Sequence, residues 1–315
     1  MPAFELEVAE QDAGQRLDTL LTRHLPELSR ARAKALIENG RVRVGGRLVT
    51  KSYLVIAGDR IVVDELPGAA HFHAMPDPDL ELVVLRETED YVIIDKPAGV
   101  PSHPLKEGEL GTVANALRAR YPELRGVGYR KREPGILHRL DTDTSGVMLA
   151  ARTTEAFERL RDQLRSGEIE KRYLARCVGI VSAPAVIETA IANDPRDRRK
   201  VRVCADPREA KRLGAQPART EILTSTEAPH GSLVEVRANH ARRHQIRAHL
   251  ASIGHPLLGD TLYGGPELES PGRHLLHASS ITVEGVTVES TGWAYSDCEV
   301  EIATGRGSQD PRPRT

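Results

Sequence analysis

The stretch His138-Arg139-Leu140-Asp141-Thr142-Asp143-Thr144-Ser145-Gly146 runs directly into Val147-Met148-Leu149-Ala150-Ala151. A polar, turn-forming segment that abuts an apolar run of strand length predicts a tight loop at the mouth of a buried strand. Side chains held on such loops by a rigid scaffold serve binding and chemistry more often than core side chains do. Asp141, Asp143 and Ser145 are equally suited to closing the turn through hydrogen bonds to the backbone, and the residues alone leave both roles open. An EF-hand calcium loop is excluded, because the position that requires a bidentate acid is Arg152. An aspartyl phosphatase wants its nucleophile just after an apolar strand, whereas here the apolar run follows the carboxylate.

At 315 residues the chain exceeds an average domain, so one small and one large domain are expected. A net charge of -1 offers no global basic field, which turns attention to local clusters. Residues 1–12 are acidic without an apolar signal core, and no run approaches a membrane span, so a cytosolic protein is expected. Cys177, Cys204 and Cys298 have no paired spacing and read as thiols without a disulfide framework or zinc knuckle.

Leu17, Leu20, Leu21 and His24 mark one helix face, and Ser29 can cap a second helix that Gly40 ends. Val42, Val44, Leu48 and Ile61-Val62-Val63 follow as short strands, with Gly45-Gly46 as a hairpin turn. Over residues 16–63 ten basic side chains stand against four acidic ones, so this segment is positive within a nearly neutral chain. Arg30, Arg32 and Lys34 gather at the start of the second helix, where backbone amides also favour phosphate. Pro67, Gly68, Pro76 and Pro78 mark residues 65–79 as a linker.

In the larger part, residues 80–304, Leu82-Val83-Val84-Leu85 and Tyr91-Val92-Ile93-Ile94 predict neighbouring strands. Thr112 caps a helix carrying Val113, Leu117 and Tyr121; Phe157, Leu160 and Leu164 define another that Gly167 ends. Residues 171–178, which include Tyr173, alternate as a strand, and residues 232–238 form another. Between them, residues 205–217 are rich in Pro, Gly and charge and predict a mobile excursion. Ile246, Leu250 and Ile253 recur at helical spacing within residues 239–254, which predicts a helix with one core face and one basic face. His240, His244 and His249 could suggest zinc, but no carboxylate or thiolate joins them and three arginines would repel a cation, so anion contact is the better reading and no metal is expected. The fold class is α+β: a small αβ domain of two helices and a short sheet over residues 15–64, then a domain built on a mixed, mainly antiparallel sheet flanked by helices. Residues 305–315 read as a disordered tail.

Residues 138–146 resemble the signature of the RluA family of RNA pseudouridine synthases. Asp95-Lys96-Pro97-Ala98-Gly99-Val100, the strand around Tyr173, and His244-Gln245-Ile246-Arg247 with its continuation through Gly259-Asp260 and Leu262-Tyr263-Gly264 resemble further family motifs, in the family's order. Within residues 15–64, Arg-Leu-Asp, Ser-Arg-Ala-Arg, Val-Gly-Gly-Arg and Ala-Gly-Asp-Arg resemble the S-four-type RNA-binding domain. The resemblance implies that Asp141 is the nucleophile, that Arg247 pairs with it and that Tyr173 lies against the target uracil. Lys96 is given only a supporting role. Arg139 is the candidate for filling the space left by a flipped base, Ile246 for the apolar wall beneath it, and His138 for a further substrate contact. Arg16, Arg30, Arg32, Lys34, Arg41, Arg242 and Arg243 are the candidate RNA contacts. Thr142, Ala241 and Arg243 depart from the family's usual residues, and Thr142 and Arg243 bear on which RNA is accepted.

Isomerising uridine to pseudouridine involves no redox change and no phosphoryl transfer, and the chain has neither a GxGxxG fingerprint nor a Walker loop; no cofactor is expected. It does require a group that can bond covalently and leave again. A carboxylate in a pocket that excludes water stays ionised more readily beside a cation, which makes Asp141 and Arg247 one device. RNA is the expected partner, ribosomal RNA favoured over transfer RNA, and a monomer the expected state. Two rivals remain: a non-catalytic RNA-binding ribosome-assembly protein on the same scaffold, and a magnesium-dependent phosphohydrolase using the same aspartate.

Overall fold

The computed structural model describes residues 4–25, 28, 30–50, 52–64, 72–270, 272–291 and 301–302. The chain divides into two units, residues 1–71 and 72–315. The first contains β1 (Phe4–Glu7), α1 (Leu17–His24), α2 (Arg30–Glu38), β2 (Val42–Val44), β3 (Arg47–Leu48) and β4 (Arg60–Val63). Its antiparallel sheet runs β1-β4-β2-β3, and the helices close one core on it through Leu17, Leu20, Leu21, Ala33, Leu36 and Ile37 against Val42, Val44, Ile61 and Val63. Each such Leu, Ile or Val contributes about 1.5–3 kcal/mol by leaving water. β1 adds an edge that the acidic N-terminus did not announce: Phe4 and Leu6 turn partly inward while Glu5 and Glu7 alternate with them. Ser29, the expected cap of α2, and the Arg32 side chain lie outside the described residues.

The second unit contains β5 (Val83–Glu87), β6 (Tyr91–Lys96), α3 (Val113–Arg120), β7 (Ser145–Ala151), α4 (Thr154–Ser166), β8 (Glu170–Val178), β9 (Ala185–Ile187), β10 (Ala190–Asn193), β11 (Val201–Cys204), α5 (Pro207–Leu213), β12 (Thr220–Ala228), β13 (Gly231–Arg237), α6 (Gln245–Ser252), β14 (Leu268–Ser270), β15 (Leu276–Val283), β16 (Val286–Glu289) and β17 (Glu301–Ile302). Nine strands make one mixed, mainly antiparallel sheet in the order β5-β6-β7-β15-β8-β13-β12-β9, with β16 paired to β15. Its parallel pair is β7 with β15.

All seven residues of β7 are buried. Gly146 stands at φ +110, and a Cβ there would meet the Ala278 carbonyl oxygen at 2.1 Å. Glycine alone therefore lets β7 lie against β15 at the point where the loop of residues 141–144 enters the sheet. α3 begins with a capping box between Thr112 and Asn115, and α4 runs from the Thr153 cap to Gly167 in the left-handed conformation.

Three expectations need correction. Residues 207–213, expected within a mobile excursion, form α5: the Asp206 side chain accepts the Arg208 amide, Pro207 opens the helix and Gly214 closes it. α6 begins only at Gln245, because His244 takes a left-handed backbone, so His240 and His244 do not share a helix. The latter part of the expected linker is bound to the second unit, where Ala74 is buried and Asp77 accepts the Gly111 amide. The tail of residues 305–315 lies outside the described residues.

Candidate active site

The loop preceding β7 is held from outside itself. The Lys96 side chain is fully buried, and its Nζ donates to the carbonyls of Pro97 at 2.9 Å, Val100 at 2.6 Å and Thr142 at 2.8 Å. Burial pushes its pKa down to about 7, while the nearby Asp143 and Asp141 oppose that shift. Ser102 Oγ donates to the Leu140 carbonyl and accepts the Leu140 amide, and the Thr144 hydroxyl bonds to His274. The Thr144 amide donates to the Asp141 carbonyl, closing the turn. Asp141 thus closes the turn with its backbone and keeps its carboxylate for a pocket.

That pocket is lined by residues 139–141, Thr144, Tyr173, residues 241–247 and Leu276. Arg247 Nη1 donates to Asp141 Oδ2 at 3.1 Å. Its other two donors, Nε and Nη2, grip Asp260 at 2.8 and 2.9 Å, a bidentate pair with the Asp260 side chain only 1% exposed. The guanidinium also lies over the Tyr263 ring, 5.2 Å from its centroid. Burial acts to lower the Arg247 pKa, but Asp260 and Asp141 outweigh it and the net shift is upward. The arginine is therefore a fixed cation, locked by one carboxylate and aimed at another.

Tyr173, on β8, is buried, and desolvation together with the Asp141 charge raises its phenol pKa well above the usual value. Ile246 is buried at the pocket wall. Arg139 is exposed at the pocket and makes no hydrogen bond or ion pair among the described residues. His244 turns Nε2 toward Asp141 Oδ2 at 3.8 Å and bonds through Nδ1 to the Tyr263 hydroxyl at 3.0 Å.

Other expected contacts fall elsewhere. His138 does not line the pocket; its Nε2 accepts the Leu149 amide at 3.1 Å, and burial lowers its pKa to about 3. The three histidines do not form one anion-binding face. His249 is buried between Thr220 and the Thr189 carbonyl, and His240 contacts the Arg165 carbonyl. Arg242 donates to the Pro217 carbonyl and Arg243 to those of Arg198 and Arg199, so they tie the pocket's edge to the segment before β12 and to the β10–β11 turn while remaining exposed. In the first unit Arg16 pairs with the buried Asp18 through two hydrogen bonds, while Arg30, Lys34 and Arg41 are exposed.

Sequence reasoning gave no role to Asp260 or to the His244–Tyr263 contact. Asp260 lies thirteen residues beyond Arg247, across a turn whose return path no local periodicity reveals.

The sheet thus brings a carboxylate and a locked arginine together in a small pocket beside a tyrosine. The family model for RNA pseudouridylate synthase matches residues 90–252, and that for the S4 domain matches residues 15–61. The chain belongs to the RNA pseudouridylate synthase family. It is 36% identical over 281 residues to an uncharacterized RNA pseudouridine synthase of Synechocystis sp., covering 88% of this chain and 83% of that one. It is also 36% identical over 258 residues to ribosomal large subunit pseudouridine synthase D of Xylella fastidiosa, covering 82% and 74%. The structure of human RNA pseudouridylate synthase domain containing 4 shares the fold at a TM-score of 0.50 and 24% identity, over 66% of this chain and 87% of that one.

Proposed function

We propose that the protein isomerises specific uridines of ribosomal RNA to pseudouridine, with Asp141 as the covalent catalyst. The N1 glycosidic bond breaks, uracil turns in the site, and C5 bonds to the sugar; the C5 proton leaves and N1 gains one. Asp141 bonds reversibly while the base turns. Arg247, held by Asp260, keeps the carboxylate charged and oriented. Tyr173, buried at the pocket, lies against the uracil, and its phenol is the group placed to assist removal of the C5 proton. Ile246 forms the apolar wall.

Arg139 at the pocket is free to stack in the space the base leaves. Arg30, Lys34 and Arg41 of the first unit and Arg242 and Arg243 of the second serve the RNA backbone. The ribosomal preference is supported by relatives named for the large ribosomal subunit. The 3.1 Å contact between Arg247 and Asp141 beside Tyr173 is the observation that carries this reading.

Mapping pseudouridine in ribosomal and transfer RNA from cells with and without the protein tests it. Defined sites in large-subunit ribosomal RNA should disappear without the protein and return with the parent gene. Sites lost only from transfer RNA would overturn the ribosomal assignment, and unchanged maps would overturn the proposal.

A further inference from the structure

His244 stands in a left-handed conformation, φ 53 and ψ 15, at the N-cap of α6. A residue other than glycine keeps such a conformation only where its surroundings hold it, and such residues gather at functional sites. The holding contact here is the 3.0 Å hydrogen bond between Nδ1 and the Tyr263 hydroxyl, with the two rings edge to face at 5.8 Å. That hydroxyl also accepts the Val201 amide at 2.8 Å. With that oxygen already accepting one bond, donation of its own proton to the imidazole Nδ1 gives the hydroxyl hydrogen an acceptor. A neutral imidazole that accepts at Nδ1 carries its hydrogen on Nε2. Nε2 is the atom that faces Asp141 Oδ2, a carboxylate oxygen that only accepts. Both ends of the ring therefore favour the same tautomer.

The charged groups around the ring are Asp141, Arg247, Arg243 and Asp260. Burial, aided by the two arginines, outweighs the two carboxylates and lowers the His244 pKa to about 4, so the ring is neutral at neutral pH. A neutral donor orients the carboxylate without adding a second cation beside Arg247, which would further weaken it as a nucleophile. Asp141 Oδ1 makes no hydrogen bond among the described residues, while Oδ2 has both the guanidinium and the imidazole in front of it.

We propose that His244 is a positioning residue: its Nε2–H, fixed by Tyr263, holds Asp141 Oδ2 together with Arg247 and turns Oδ1 toward the reacting nucleoside. The inference rests on the isomerase reading of this pocket. At 3.8 Å the contact is longer than a hydrogen bond, and contacts of this kind tighten when substrate is bound.

Nitrogen NMR of the histidine rings tests the wiring directly, with His244 assigned by its loss in His244→Asn. The parent should show Nε2 protonated and Nδ1 bare from neutral pH down to the region of its depressed pKa. Tyr263→Phe keeps the ring beneath Arg247 but removes the hydroxyl, and the two tautomers should then mix. Asparagine tolerates the left-handed backbone, so His244→Asn should lower kcat by roughly tenfold to a hundredfold, as for a lost hydrogen bond to a charge, with KM little changed on a large-subunit ribosomal RNA transcript. An Nδ1–H tautomer in the parent, an unchanged tautomer in Tyr263→Phe, or a raised KM with kcat intact would each overturn the proposal. The ring signals are read without RNA, so a parent that formed no pseudouridine would sink the isomerase reading and leave the tautomer result standing.

Discussion

Arg247 serves two carboxylates with one planar group, and the division of its donors decides what each neighbour can do. Lysine keeps the charge but offers a single ammonium, which cannot grip Asp260 through two bonds and reach Asp141 as well. Arg247→Lys should therefore lower kcat at least a hundredfold, by analogy with losing one preorganised electrostatic contact, measured as pseudouridine formed under saturating RNA. Asp260→Asn leaves a buried guanidinium short of its partner and should cost about 3 kcal/mol of stability, since breaking a buried pair is expensive; urea unfolding would show it. Asp141 and Arg247 could be read from the motifs that carry the family resemblance. Asp260 could not, because pairing across a turn leaves no periodic trace. His244 was visible as a residue but not as a left-handed one, a conformation that non-glycine residues seldom adopt.

At the scale of elements, the loop before β7 is as rigid as the contacts that hold it. Lys96 reaches it from the end of β6 and satisfies three carbonyls. Lys96→Met fills similar space without donors and leaves those carbonyls short, at a cost of about 2–4 kcal/mol. Amide hydrogen exchange should then quicken selectively over residues 140–144, whereas unchanged exchange there would show that β7 alone holds the loop. Lysine is almost never fully buried unless paired, which is why a lysine followed by proline and glycine read as a strand end of minor importance. Elements with a clear apolar face and a stop signal were legible: α4 follows from Phe157, Leu160, Leu164 and Gly167. α5 carried start and stop signals in Asp206, Pro207 and Gly214, but with no buried face its composition resembled a loop.

For the whole molecule, burial lowers the pKa of six described histidines in the second unit, His73 and His249 among them. Burial lowers the pKa of His103, His244 and His274 to about 4 and that of His138 to about 3. Between the unfolded value near 6.5 and these folded values the unfolded chain binds more protons, so stability is fully present above pH 6.5 and is lost as pH falls toward 4. For His274, 4% exposed, that depression corresponds to about 3 kcal/mol. Urea midpoints followed across this range should fall, and His274→Gln, which keeps a partner for Thr144 without titrating, should flatten the slope. A variant as acid-sensitive as the parent would show that His274 does not carry the loss.

The most direct measurement of the central claim is the single-turnover rate of pseudouridine formation on a large-subunit ribosomal RNA transcript by the parent and by Asp141→Asn, with RNA affinity measured alongside. Loss of a catalytic nucleophile typically costs about 10⁴–10⁶ in rate. A fall of that size with affinity retained is the expected result. A variant within tenfold of the parent would mean that the carboxylate held by Arg247 is not the group that carries the isomerisation.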